Sequence, residues 1–287
     1  MFYKVGYDTI QIEIKGIYVV KTDNRMLLNR MLLSDKTTYT GKGNTRLVLR
    51  GLNGLSSIKE ILGYIEELEE IIGEKVEVVR VDIGADSKEY LKDNVNLARL
   101  FLECLNIARR KDNGDIFKTI KGIEKEGNIK LSNGRIETTF YSCVDKNRQA
   151  NTRLENRTKD IRSQQANREV LENEIKKYIQ ELKGLELLVE KVEHKYIEEL
   201  TKLYNETIEK KYRTFSEFVA FADSQGYIMT SDILKGLIIK VSLTIGYKKF
   251  VENFRKARKE TLNFITKTEL KKFVKDLEKN LKVVLKN

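Results

Sequence analysis

The feature that most constrains this chain is a change of hydrophobic period near residue 163. Before it, several stretches carry apolar residues at every second position; after it, they recur every third or fourth. Residues 8–20 (DTIQIEIKGIYVV) set Ile10, Ile12 and Ile14 against Gln11, Glu13 and Lys15, which predicts a half-buried strand. Thr45 to Leu52 (TRLVLRGL), after the turn-like TGKGN, predicts another. From Ser56 to Ile72 the spacing of Ile58, Ile61, Leu62, Ile65, Leu68 and Ile72 is helical, with a Ser57/Glu60 capping box and Gly73 as a stop. Glu77 to Asp86 predicts a third strand, followed by a helix near 94–110. Residues 127–143 predict a hairpin in which Asn133-Gly134 supplies two left-handed turn positions. TRLENRTK (152–159) reads as one more strand or as the start of a long helix.

Beyond residue 163, Leu171, Ile175, Ile179, Leu182, Leu185, Leu188, Val192, Tyr196, Leu200 and Leu203 predict a long helix or helical hairpin interrupted at Gly184. Thr214 and Glu217 form a second capping box. Gly226 and Thr230-Ser231 divide the segment that this box opens into short helices compatible with a helix-turn-helix module. The order predicts an α+β fold: an N-terminal antiparallel or mixed sheet with helices over residues 1–162, then an all-helical region over 163–287.

Composition narrows the chemistry. The single His, His194, excludes a Ser-His-Asp triad, a two-His zinc site and the His-hydrophobe-His metal motif of many DNA-nicking enzymes. Cys104 and Cys143 are far apart and lie in no CxxC, which argues against a disulfide framework and a thiolate zinc site. A metal, if used, would be held by carboxylates, which favours Mg2+ or Mn2+. No apolar run reaches the roughly 18–20 residues that cross a bilayer, and Met1 to Lys15 lacks a signal-peptide layout, so a cytoplasmic protein without a membrane partner is expected. Residues 230–287 carry thirteen Lys and two Arg against six acids, most of the formal net charge of +11. Such an excess suits a polyanion, nucleic acid first, although a Lys-rich solvated helix face accounts for it too. Lys248, Lys249, Arg255 and Arg258 are the candidate phosphate contacts there.

Alternation also sorts side chains by face. Arg80, Asp82, Gly84 and Asp86 share one face of their strand; Arg135, Glu137, Thr139, Tyr141 and Cys143 share one face of the hairpin strand; Arg153, Glu155 and Arg157 share a third. Carboxylates, arginines and a tyrosine on one sheet face suit phosphodiester chemistry: a metal polarises the phosphate, arginines hold it, and tyrosine attacks. On periodicity alone the plainer account is favoured, a solvated antiparallel face whose charges pair across strands.

The motifs VRVDIGAD, TTFYSCVDKNRQ and TRLENRTK, in that order, resemble the Rep_trans family of rolling-circle plasmid replication initiators and, more distantly, the replication proteins of filamentous phages. The resemblance covers roughly half the chain. It implies Tyr141 as the nicking nucleophile and Glu155 and Asp82, with Asp86 assisting, as ligands of Mg2+ or Mn2+. Arg153 or Lys146 would contact phosphate, and Arg80 and Arg157 are further candidate phosphate contacts. The four residues SCVD between Tyr141 and Lys146 make a longer step than the family's, and Asn156 and Arg157 stand where it has apolar alternation. The implied activity is nicking of double-stranded origin DNA, leaving a free 3′-hydroxyl and a nicked single strand joined to Tyr141, with a host helicase and polymerase as partners and a homodimer as one possible assembly. The alternative is a non-enzymatic, sequence-specific DNA-binding protein of initiator or partition type. His194 is expected to be solvated, and Tyr196, Tyr204, Tyr212, Phe215 and Phe218 to pack in a core.

Overall fold

The computed structural model describes residues 2–15, 38–39, 43–49, 52, 57–88, 95–109, 120–121, 128–144, 150–211, 214–225, 227–241, 252, 254–256 and 265–286. Strands β1 (Phe2–Ile14), β2 (Thr38–Tyr39), β3 (Thr45–Leu49), β4 (Glu77–Ser87), β5 (Ile120–Lys121), β6 (Ile129–Asn133), β7 (Ile136–Val144) and β8 (Ala150–Gln165) form one sheet in the order β2-β3-β1-β4-β8-β7-β6-β5. The central pairings, β3 with β1, β1 with β4, β4 with β8 and β8 with β7, are antiparallel. Helices α1 (Ile58–Ile72) and α2 (Val95–Arg109) interrupt the strands, and α3 (Arg168–Leu182), α4 (Val189–Lys211), α5 (Phe215–Ser224), α6 (Ser231–Val241) and α7 (Lys267–Val284) follow them. The fold is α+β, with an N-terminal sheet and C-terminal helices. No helix among the described residues is long and apolar enough to cross a membrane.

Local chemistry accounts for most element ends. The Ser57 side chain accepts from Glu60 N at 3.2 Å while Glu60 Oε2 accepts from Ser57 N at 2.7 Å, the reciprocal pair that starts α1. Gly73 ends α1 with φ 78°, a left-handed position that glycine takes without steric cost. TRLENRTK resolves as strand, not helix: β8 runs to Gln165, and α3 begins only when the Asn167 side chain accepts from Val170 N at 3.0 Å. Gly184, φ 74°, separates α3 from a 3-10 turn at Leu185–Leu187 ahead of α4.

Three expectations need correction in detail. The first strand starts at Phe2, earlier than residue 8, because Val5 and Tyr7 extend its buried face; residues 16–20 lie outside the described residues. The strand from Thr45 is described as far as Leu49. In the hairpin Asn133 remains in β6, and Gly134 (φ 67°) alone is left-handed, so glycine occupies the first central position of the turn, a II′ pattern.

The chain divides into two compact units, Met1–Tyr90 with Lys130–Lys183 and Lys275–Asn287, and Leu91–Ile129 with Gly184–Val274. In the first, Ile10, Ile12 and Ile14 from β1, Val78, Val81 and Ile83 from β4, Leu154 from β8 and Phe140 from β7 are buried, as are Ile58, Ile61, Ile65 and Leu68 of α1 and Leu171, Ile175 and Tyr178 of α3. Each such aliphatic side chain contributes about 1.5–3 kcal/mol on burial. In the second, Leu100 and Phe101 of α2, Val192, Tyr196 and Leu200 of α4, Phe218 of α5 and Leu234, Leu237 and Ile238 of α6 form the core. Tyr196 Oη donates to Glu103 Oε1 at 2.9 Å there, and Tyr204 meets Phe218 edge to face, so those aromatics are packed as expected. Tyr212 and Gly226 lie outside the described residues.

Candidate functional site

The three strands whose polar faces were predicted separately are neighbours, with β8 between β4 and β7. Their register aligns those faces into rows: Asp86 opposite Arg153 opposite Tyr141, Gly84 opposite Glu155 opposite Thr139, and Asp82 opposite Arg157 opposite Glu137. The other side of the same strands turns inward, where Thr138 Oγ1 donates to Asn156 Oδ1 at 2.7 Å in the core. That buried pair explains why Asn156 is tolerated at an apolar position.

The face is not a plain solvated one. Asp82, Asp86 and Glu155 are only 1%, 6% and 8% exposed. Arginines neutralise them. Arg153 donates from Nε to Asp86 Oδ1 at 2.5 Å and from Nη2 to Asp86 Oδ2 at 2.8 Å, a bidentate pair. Arg80 Nε donates to Asp82 Oδ1 at 2.7 Å, and its Nη2 bonds the other oxygen of the same carboxylate. Arg157 donates to Asp82, Glu137 and Glu155. Glu137 also takes Lys159 Nζ at 3.0 Å and Lys130 Nζ at 2.9 Å.

Tyr141 Oη donates to Glu155 Oε2 at 3.0 Å. Burial, reinforced by the Glu155 charge, raises the Tyr141 hydroxyl well above the usual phenol range, so it stays protonated at neutral pH. Burial likewise raises Asp82 despite the hydrogen bond from Arg80, and raises Asp8 despite Arg153. For Glu137, burial is outweighed by the hydrogen bonds of Lys130 and Lys159, and its carboxyl is held below the ordinary value. The Arg153 guanidinium, bonded to Asp86, is fixed in its charged form.

Asp8 is the member that sequence reasoning missed. Arg153 Nη1 donates to Asp8 Oδ1 at 3.0 Å. The register of β1 on β4 slips between Tyr7 and Thr9, and the residue left over is Asp8. A Cβ at Gly84 would lie 3.3 Å from Asp8 Cβ, so the missing side chain lets Asp8 lean across β4 toward Arg153. The signal was present as a broken alternation: buried Val5 and Tyr7, then a three-residue step to Ile10.

Asp82, Asp86 and Glu155 are the residues expected to hold Mg2+ or Mn2+, and their arrangement does not fit such an ion. Each carboxylate is already engaged by a guanidinium, and Asp86 lies in a different row from Asp82. No group of three or more His, Cys, Asp and Glu among the described residues is disposed to hold a metal ion. Of the expected phosphate contacts, Arg80, Arg153 and Arg157 are on this face and paired, Arg255 is exposed elsewhere, and Lys146, Lys248, Lys249 and Arg258 lie outside the described residues. His194 is exposed beside Glu198, as expected of a solvated helix residue. A cavity of about 540 Å3 is lined by Asn156, Thr158, Asp160, Glu174 and Tyr178 and does not include Tyr141 or Glu155.

Together these features define an α+β protein with a half-buried tyrosine and arginine lattice over buried carboxylates on one sheet face. No family model matches the chain, and no curated protein matches it by sequence. Among solved structures it is similar to a rolling circle replication initiator protein from Geobacillus stearothermophilus, at 13% identity over 55% of this chain and 75% of that one, with a TM-score of 0.29. At that TM-score, function has to be argued from the residues of this chain itself.

Proposed function

We propose that this chain is a replication-initiator-type protein that nicks one DNA strand by tyrosine transesterification at the β4-β8-β7 face. The observation that carries this is the Tyr141 Oη to Glu155 Oε2 hydrogen bond of 3.0 Å, with Arg153 opposite Tyr141 in the register. A protonated phenol is a poor nucleophile, and a carboxylate within hydrogen-bond reach is the base it needs. In the step, Tyr141 Oη bonds to phosphorus and its proton passes to Glu155. The bond from phosphorus to the 3′-oxygen breaks, and that oxygen leaves with the electron pair and takes a proton from water. The products are a 5′-phosphotyrosine and a free 3′-hydroxyl. Arg153 supplies positive charge beside the attacked phosphate. Nothing in this step is routed through a metal ion, because the carboxylates are taken up by arginine.

Duplex origin DNA would be held by the basic C-terminal part. On α7, Lys271, Lys275 and Lys279 recur at four-residue spacing and are exposed, opposite buried Leu270, Val274, Leu277 and Leu281. The short helices α5 and α6, the latter capped by Thr230 Oγ1 accepting from Ile233 N at 3.0 Å, are the candidate helix-turn-helix pair. A host helicase and polymerase would act after the nick in the cytoplasm.

Wild type and Tyr141→Phe, incubated with supercoiled plasmid carrying the gene's flanking DNA, test this. Wild type is expected to give open-circular product and an SDS-stable protein–DNA link, and Tyr141→Phe neither. Equal nicking by both would remove Tyr141 from the role. A second reading, a non-enzymatic DNA-binding protein, is favoured by the pairing of each of Arg80, Arg153 and Arg157 with carboxylates of its own face; it predicts binding without any nick.

A further inference from the structure

Arg157 occupies the place where a divalent cation would be sought. Its guanidinium meets carboxylates from three adjacent strands: Nε reaches Asp82 Oδ2 on β4 at 3.3 Å, Nη1 reaches Glu137 Oε1 on β7 at 3.0 Å, and Nη2 reaches Glu155 Oε1 on β8 at 2.6 Å. The side chains it meets are 1%, 7% and 10% exposed, so water does little to screen their mutual repulsion. Further charge comes from Arg80 on Asp82 and from Lys130 and Lys159 on Glu137, whereas among these cations only Arg157 bridges all three carboxylates.

We infer that Arg157 is a built-in cation filling a three-carboxylate cage, so that this face works without a divalent metal and opens a divalent-cation site only when Arg157 is removed. A planar guanidinium suits the cage because its N–H groups reach outward to oxygens that stay apart. A divalent ion would have to draw the same oxygens to about 2.0–2.4 Å of one point, which they can do only once the guanidinium is gone. The catalytic consequence rests on the assignment of Tyr141 as nucleophile. Arg157 donates to Oε1 of Glu155 while Oε2 accepts from Tyr141, so it holds the proposed base in place.

The test titrates Mn2+ into the full chain by calorimetry and by Mn2+ electron paramagnetic resonance, alongside thermal unfolding with and without the ion. Wild type is expected to show no saturable uptake up to about 1 mM, and Arg157→Ser one site bound at least about tenfold more tightly. Asp82→Asn in the Arg157→Ser background should abolish that site. The unfolding temperature should rise with Mn2+ for Arg157→Ser and stay unchanged for wild type. Stoichiometric Mn2+ uptake by wild type that is lost in Asp82→Asn overturns the inference, as does a folded Arg157→Ser that gains no affinity. If Arg157→Ser does not fold, Arg157→Gln takes its place in the same titration, and wild-type uptake that is lost in Asp82→Asn still overturns the inference. None of these readouts involves nicking, so a failure of the Tyr141→Phe assay leaves them standing.

Discussion

Replacing Arg153 with Met tests whether the polar face is held by charge pairing. The substitution keeps the length and much of the apolar stem while deleting three hydrogen bonds, two to Asp86 and one to Asp8. Arg153 is 19% exposed and its partners are 9% and 16% exposed, so both carboxylates would be left in low-dielectric surroundings without their cation. Breaking a buried pair by removing one partner costs about 3–5 kcal/mol, and partial exposure places this case near about 3 kcal/mol. For a unit of this size that corresponds to a fall of roughly 6–12 °C in Tm. Asp8, already raised by burial against the pull of Arg153, would rise further. A folded-state value above the unfolded one leaves no penalty below the unfolded value and an increasing penalty as pH climbs through the folded one. The deficit of Arg153→Met should therefore be largest near pH 8 and shrink toward about pH 5 as Asp8 takes up a proton. Thermal unfolding followed by circular dichroism at both pH values measures this, with Tyr141→Phe, expected to cost only about 1 kcal/mol, as the reference for losing one hydrogen bond. A loss at pH 8 no larger than that of Tyr141→Phe, or an equal loss at both pH values, would refute the charge-pairing account.

Gly236→Ala on α6 should destabilise by about 1–3 kcal/mol through overpacking, because its new Cβ would lie 3.0 Å from Ile197 Cγ1 on α4 and closer still to Cδ1. Ile197→Ala in the same chain should recover part of that loss, which a double-mutant cycle in denaturant reads directly. The carboxyl of Asp8, followed by carbon NMR, should titrate above the ordinary value of about 3.9, and a midpoint at or below it would contradict its burial. Changing Lys271, Lys275 and Lys279 together to Gln should weaken duplex DNA binding and reduce the slope of log affinity against log salt by about 0.9 for each phosphate no longer neutralised. An unchanged slope would remove α7 from the DNA-binding surface.

Burial gives the lattice its functional interest. Carboxylates sunk beneath arginines cost desolvation that a solvated face would avoid, and clusters of perturbed groups of this kind concentrate at working sites. The same pairing bears on the proposed reaction: one oxygen of Glu155 accepts from Tyr141 while the other is held by Arg157, and Asp82 and Asp86 are both bound by guanidinium groups.

The amino-acid sequence by itself determined the element types and which residues share a face. A period of two places Asp82 with Asp86, Glu137 with Tyr141 and Arg153 with Arg157 whatever the strands pair with, and caps such as Ser57 and stops such as Gly73 and Gly184 act within one turn of chain. The tertiary structure alone decided that β8 lies between β4 and β7, since pairing joins residues far apart along the chain and carries no local signal. It also decided that TRLENRTK is strand, because a segment with two neighbours to bond outweighs a weak local preference. The slip in β1 that delivers Asp8 and the nearness of one guanidinium to three carboxylates follow from cross-strand register, a property of paired strands and not of any one of them.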